Sequence, residues 1–227
     1  MSVAGTARAL LVDLDGTLVD SLPDLMAALN RLLTAEGQAS LNAAEVRPMV
    51  GDGAARLVER AFAARGGPGD VPLPALVERF LAIYEADPVA QTRPYPGAAE
   101  TLEALAAAGW RLAICTNKPE AASRKVLQGL GLAGLFQEVA GGDSFPVRKP
   151  DAGHLLGALG CLDVLPRHAV MLGDSHNDLQ AARNAGLPVI LVSFGYTRTP
   201  ARELGADAVI DAFAELPDAL ARLGFGA

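Results

Sequence analysis

The stretch Ala9-Leu10-Leu11-Val12-Asp13-Leu14-Asp15-Gly16-Thr17 decides the fold. Four apolar residues without alternation read as a strand buried on both faces, and the Asp-Leu-Asp-Gly-Thr that follows reads as a tight turn at its carboxyl end. Further apolar runs lie at 110–115, 169–172, 188–192 and 208–210. Helical spacing fills 98–108, 120–130, 152–159, 178–185 and 213–223. Strands alternating with helices of about 10–15 residues specify βαβ units, so the predicted fold class is α/β with a Rossmann-like parallel sheet.

The exception is 18–93, where no strand pattern occurs but Leu25/Ala28/Leu29/Leu32 and Leu57/Val58/Ala61/Phe62 recur at helical spacing. Connections in α/β units usually run about 2–6 residues, so an insertion of this size after the first strand predicts a separate, all-helical lobe. The expected organisation is a core of 1–18 and 94–227 with a helical insert over 19–93. Arg93-Pro94-Tyr95-Pro96-Gly97 marks the return to the core.

Composition narrows the function. The chain has 227 residues, 51% of them hydrophobic, enough for a sizeable core. A net charge of −7 argues against a general nucleic-acid surface or an anionic membrane as partner. No apolar run approaches the roughly 18–20 residues that span a bilayer, and the run after Arg8 breaks at Asp13, unlike a signal peptide. A cytoplasmic protein is expected, with Cys115 and Cys161 as reduced thiols. Oligomeric state is not legible.

In open parallel sheets, ligands bind beyond the carboxyl ends of the strands. Asp13, Asp15, Thr116 and Asp174 all fall there, and Asp178 follows Asp174 by one helical turn. Four carboxylates are expected to converge, and like charges that close call for a cation. All-oxygen ligation suits Mg²⁺. Asp13 and Asp15 point the same way in an extended segment, so one can attack a phosphoryl centre while the other moves protons. Thr116, Asn117 and Lys149 are the groups available to bind the transferring phosphoryl.

Leu11-Val12-Asp13-Leu14-Asp15-Gly16-Thr17-Leu18, Thr116, Lys149-Pro150 and Gly173-Asp174-Ser175 with Asp178 resemble, in order, the four motifs of the haloacid dehalogenase superfamily. The similarity covers nearly the whole chain. Val46 through Gly53, Tyr95-Pro96-Gly97, Thr116-Asn117-Lys118-Pro119 and Phe145 through Asp151 look like phosphoglycolate phosphatases in particular. The resemblance implies Asp13 as nucleophile and Asp15 as general acid/base. It implies Mg²⁺ held by the Asp13 carboxylate, the Asp15 backbone carbonyl and Asp174, with Asp178 acting through metal-bound water. It further implies Thr116 and Lys149 on the phosphoryl group of a small phosphorylated metabolite, and an insert that caps the site on hinges near 18–22 and 91–95.

Rival readings share parts of this pattern. A phosphatase for a sugar phosphate, or a phosphosugar mutase, uses the same cap type. A phospho-acceptor receiver domain also carries Mg²⁺ and an Asp at a strand end, but has no use for Asp15 or a large insert. For specificity, Gly51 and Gly53 can let backbone amides approach an anion, and Arg47 or Arg56 can pair with a carboxylate, against the bland reading of a solvated helix face. Cys115 reads as strand packing, and His154, His168 and His176 as ordinary residues without ligand spacing.

Overall fold

The computed structural model describes residues 7–226, so the first six residues and the last one of the expected core unit lie outside the described residues. Strand β1 (Ala9–Val12) is buried at every position and is followed by a two-residue strand β2 (Val19–Asp20). Four helices come next: α1 (Leu22–Ala35), α2 (Ala43–Val46), α3 (Ala54–Ala63) and α4 (Leu73–Ala86). Strand β3 (Arg93–Pro94) brings the chain back antiparallel to β2, with Val19 opposite Pro94 and Asp20 opposite Arg93. The expected hinge segments are thus zipped into one short ribbon.

The alternating part then runs α5 (Ala98–Ala107), β4 (Arg111–Cys115), α6 (Glu120–Gly129), β5 (Glu138–Ala140), α7 (Ala152–Leu162), β6 (Ala169–Gly173), α8 (His176–Ala185), β7 (Val189–Val192), β8 (Ala208–Ile210) and α9 (Leu216–Leu220). The sheet order is β5-β4-β1-β6-β7-β8, and every pairing is parallel. The chain builds outward from β1 through β4 to β5, then crosses to the other side at β6. That reversal leaves a crevice at the carboxyl end of β1, where such sheets bind ligands.

Strand residues alternate between faces. Leu10, Val12, Ile114 and Leu172 belong to the buried cluster that also holds Leu102 of α5, Val126 of α6 and Leu216 of α9. Leu11, Ala113 and Met171 belong to the opposite cluster, with Leu155 of α7 and Ala182 of α8. The first cluster runs on without a break into the insert through Leu25, Leu29, Phe62 and Phe80. At about 1.5–3 kcal/mol for each fully buried large side chain, this apolar continuity contributes much of what holds the insert against the sheet.

Some boundaries differ from the sequence reading. Strand β5 escaped it because Glu138 interrupts a run of only three residues. Helix α8 starts at His176 rather than 178, because Ser175 and Asp178 form a reciprocal capping box. The expected helix over 213–223 is instead a 3₁₀ turn, the five-residue α9 and a wide turn (Ala221–Phe225) that contains Gly224, whose φ of 85° favours glycine.

Two buried polar residues tie this framework together. The Asp24 carboxylate in the first turn of α1 accepts hydrogen bonds from the Gln91 N–H, the Thr92 N–H (2.7 Å) and the Thr92 hydroxyl (2.7 Å), joining the entry and exit of the insert. Asp24→Ala should leave these donors unpaired and lower the unfolding free energy by about 1–3 kcal/mol in urea titrations, with Asp24→Asn losing less. His154 on α7 is fully buried, its Nε2 3.0 Å from the Gly141 carbonyl. Burial, reinforced by the Lys149 charge, pushes its pKa down to about 4 from 6.5. Between those values the unfolded chain takes up a proton that the native state refuses, so this contribution is complete above pH 6.5 and drains away toward pH 4. Urea midpoints of the native protein should therefore fall relative to those of His154→Gln over that interval; parallel profiles would refute this.

Candidate active site

The register of β1 assembles the site. Val12 lies opposite Ile114 on one side and Leu172 on the other, so Asp13 emerges level with Cys115 and Gly173. Thr116 and Asp174 follow one residue later on the flanking strands. The turn after Asp13 depends on Gly16, which has a φ of 85°; a Cβ there would lie 2.6 Å from Oδ2 of Asp174. Gly173 and Gly195 leave similar room, since a methyl on either would overlap the carboxylate of Asp178 or Asp174 respectively.

Carboxylate oxygens of Asp13, Asp174 and Asp178 lie within 4.8 Å of one another, and all three residues are buried. Lys149 serves two of them, its Nζ standing 2.9 Å from Oδ1 of Asp13 and 2.6 Å from Oδ1 of Asp178. The other oxygen of Asp178 accepts from the Ser175 hydroxyl (2.6 Å) and from the Ser175 and Asp174 N–H groups. Asp178 is therefore saturated by protein donors and holds the β6–α8 turn and Lys149 in place. Among the described residues, Asp174 accepts only the Tyr196 N–H, at 2.5 Å.

The charges do not balance. Burial, and after it the neighbouring Asp178, raises the Asp13 pKa to about 6 despite Lys149, and burial with both other aspartates raises that of Asp174. Three carboxylates facing one ammonium, with only oxygen donors around them, fit a divalent cation, which would be held chiefly by Asp13 and Asp174.

The expected convergence of four carboxylates is corrected to three. Asp15 turns its carboxylate away, accepting from the Ser21 hydroxyl at 2.6 Å and from Lys118 Nζ at 3.1 and 3.2 Å. The cause is local: the Gly16 turn aims Asp15 toward the entry of the insert, where Ser21 and Lys118 stand. Thr116 is buried beside Asp13, and its Oγ1 accepts the Lys118 N–H. Asn117 donates both amide hydrogens inward, to the carbonyls of Gly51 and Lys149 at 3.0 Å each, leaving Oδ1 buried without a partner.

Asp13, Asp15, Thr116, Asn117 and Lys118 line one cavity of about 40 Å³, roofed by Leu25, Val50, Leu57, Phe80 and Tyr84 of the insert. Gly51 and Gly53 reach it, whereas Arg47 and Arg56 do not. Arg47 donates to the Gly195 carbonyl at 2.8 Å and lies over the Tyr196 ring, and exposed Arg56 pairs with Glu59 at 2.5 Å. A more open cleft of about 320 Å³ lies on the Asp174 side and includes exposed His176. Cys115 packs in the sheet with its thiol pushed up to about 12, chiefly by burial, and so stays protonated at neutral pH.

The sequence reading missed Lys118 and Tyr196 as site residues. A signal for the first was available: the chain has only three lysines, and two of them, Lys118 and Lys149, are buried here. Tyr196 had none. Its Oη accepts the Ser21 and Leu22 N–H groups at 2.8 and 2.9 Å and donates to Oδ1 of Asp20 at 2.6 Å, which binds the entry of the insert to the loop that supports Asp174.

Among the described residues, no helix is long and apolar enough to cross a membrane. The chain is 49% identical over 216 residues to a phosphoglycolate phosphatase of Rhodospirillum rubrum, covering 93% of this chain and 90% of that protein. Among solved structures it superposes on a predicted phosphoglycolate phosphatase from Haemophilus somnus with a TM-score of 0.88 and 32% identity, covering 93% and 97% of the two chains. It also matches CbbY from Rhodobacter sphaeroides in complex with xylulose-(1,5)bisphosphate, with a TM-score of 0.77 and 30% identity, covering 92% and 96%. Residues 7–186 match the haloacid dehalogenase-like hydrolases, and the chain belongs to that family.

Proposed function

We propose that this chain is a Mg²⁺-dependent phosphomonoesterase acting on 2-phosphoglycolate through a covalent phosphate on Asp13. The observation that carries the reading is the surroundings of Asp13: a buried carboxylate at a strand end, 2.9 Å from Lys149, on a small cavity that it shares with Asp15 and Thr116. In the first half-reaction an Asp13 oxygen bonds to phosphorus as the bond to the ester oxygen breaks, and Asp15 gives that oxygen a proton. In the second, Asp15 takes a proton from the water that attacks phosphorus, and the bond to Asp13 breaks to free inorganic phosphate. Thr116 and Lys149 hold the phosphoryl oxygens throughout. Asp13, Asp174 and the Asp15 backbone carbonyl would hold a magnesium ion, which would supply the remaining positive charge. Asp178 serves by fixing Lys149 and the Asp174 turn.

Residues 19–93 form the cap on this reading, shielding the acyl phosphate from bulk water, with the β2–β3 ribbon as its hinge. The substrate assignment is supported by the relatives' names. Two free cysteines, Cys115 buried and Cys161 exposed, suit the cytoplasm.

Asp13→Asn should cut turnover at least about 10³-fold with an unchanged circular dichroism spectrum; retained activity would remove Asp13 from the nucleophile's role. Across a panel of phosphomonoesters, kcat/KM should be highest for 2-phosphoglycolate, lost in EDTA and restored by Mg²⁺. A sugar phosphate turned over faster would transfer the assignment to that substrate.

A further inference from the structure

Lys118 has no part in the chemistry above, yet it is the only cationic side chain lining the Asp13 cavity among the described residues. It is 7% exposed, and its Nζ lies 4.2 Å from the centre of the Tyr84 ring on the roof. Burying an ammonium costs several kcal/mol unless its surroundings repay it. Burial pulls its pKa down, but the Asp15 carboxylate more than offsets this and holds it above the ordinary lysine value, so the group is charged.

Asp15 does not exhaust what Lys118 offers. The carboxylate engages the ammonium from one side at 3.1 and 3.2 Å, and an ammonium carries three N–H donors. The second observation lies on the roof. Tyr84 is 2% exposed, and among the described residues its buried hydroxyl, with Lys118 Nζ over the ring beside it, has no acceptor for its proton, an arrangement that costs about 1–3 kcal/mol when nothing fills it. Burial raises its pKa, which keeps the oxygen protonated and able to donate. A cation and an idle O–H donor thus border the same cavity, on the side roofed by Leu25, Val50, Leu57 and Phe80, while Thr116 and Asn117 line it beside Asp13 and Asp15.

We propose that Lys118 Nζ and Tyr84 Oη together bind a carboxylate on the alcohol portion of the substrate, and so select phosphate esters of small hydroxy acids over neutral alcohols. The proposal rests on the phosphatase reading and adds to it the residues that read the leaving group. An anion fits better than a hydroxyl because the apolar roof excludes water, which strengthens a charge-assisted bond there. It also gives Lys118, on the β4–α6 turn, and Tyr84, on α4, one common ligand that is satisfied only when the insert lies over the sheet.

The test compares kcat/KM for 2-phosphoglycolate and for 2-hydroxyethyl phosphate, the neutral counterpart in which CH₂OH replaces the carboxylate. The wild-type ratio should be well above one. Lys118→Met should reduce that ratio about 30- to 100-fold, and Tyr84→Phe, which keeps the ring packing, about 3- to 10-fold, with the change carried mainly by KM. A wild-type ratio near one would overturn the phosphoglycolate reading and this proposal with it. A high ratio that survives in both variants, even if absolute rates fall for both esters alike, would overturn the assignment of Lys118 and Tyr84 alone and leave Lys118 as a positioning residue for Asp15.

Discussion

The interaction on which the rest depends is Lys149 Nζ set between Asp13 and Asp178. Carboxylates buried within a few ångströms of each other repel strongly in a medium of low polarisability, and removing water raises that cost. One ammonium offsets part of it, and backbone and hydroxyl donors around Asp178 offset more. What is left is an excess of negative charge at Asp13 and Asp174, whose pKa values are raised by burial and, after it, by the neighbouring Asp178. The same imbalance that would destabilise an ordinary core gives this one the charge and the oxygen ligands that a divalent cation calls for, which is what the proposed phosphoryl chemistry builds on.

Such a cluster survives only on a rigid support. The central position of β1 supplies it, because parallel neighbours on both sides bring the β4 and β6 ends level with Asp13. Glycines at 16, 173 and 195 supply the space, each lying where a side chain would displace an aspartate. The insert is joined to this support by polar contacts concentrated around the chemistry: Tyr196 on the Asp20–Leu22 turn, Asn117 on Gly51, and Lys118 under Tyr84. Motion of the insert over the sheet would therefore rearrange groups that touch the cavity, which is how an enclosing lobe and a reaction centre become coupled.

Much of this was legible from residue order alone. A four-residue apolar run ending in Asp-Leu-Asp-Gly-Thr identified both the central strand and its acidic turn, because strand burial and turn chemistry are local properties. The alternation of apolar runs with helical spacing gave the parallel sheet, and its failure over 18–93 predicted the four helices found there, but not strand β2 or the start of β3 within the same range. Elements were misjudged where local signals are weak: β5 is three residues long, and the segment over 213–223 changes from a 3₁₀ turn to a short α-helix to a wider turn, which apolar spacing does not register.

Side-chain pairing was another matter. Periodicity assigns Asp15 and Asp13 to one face of an extended segment, yet Gly16 turns Asp15 toward Ser21 and Lys118, the latter 103 residues away in the chain. Likewise Asn117 is a good phosphate donor by residue type, but its amide hydrogens are committed to Gly51 and Lys149. Sequence by itself determined which chemical groups would stand at the carboxyl end of the sheet, since a strand delivers its last residue there whatever surrounds it. Which of those groups meet one another, and that Lys118 and Tyr84 border the same cavity, was decided by tertiary structure, because hydrogen bonds and ion pairs depend on distances of a few ångströms that only the packing of remote segments sets.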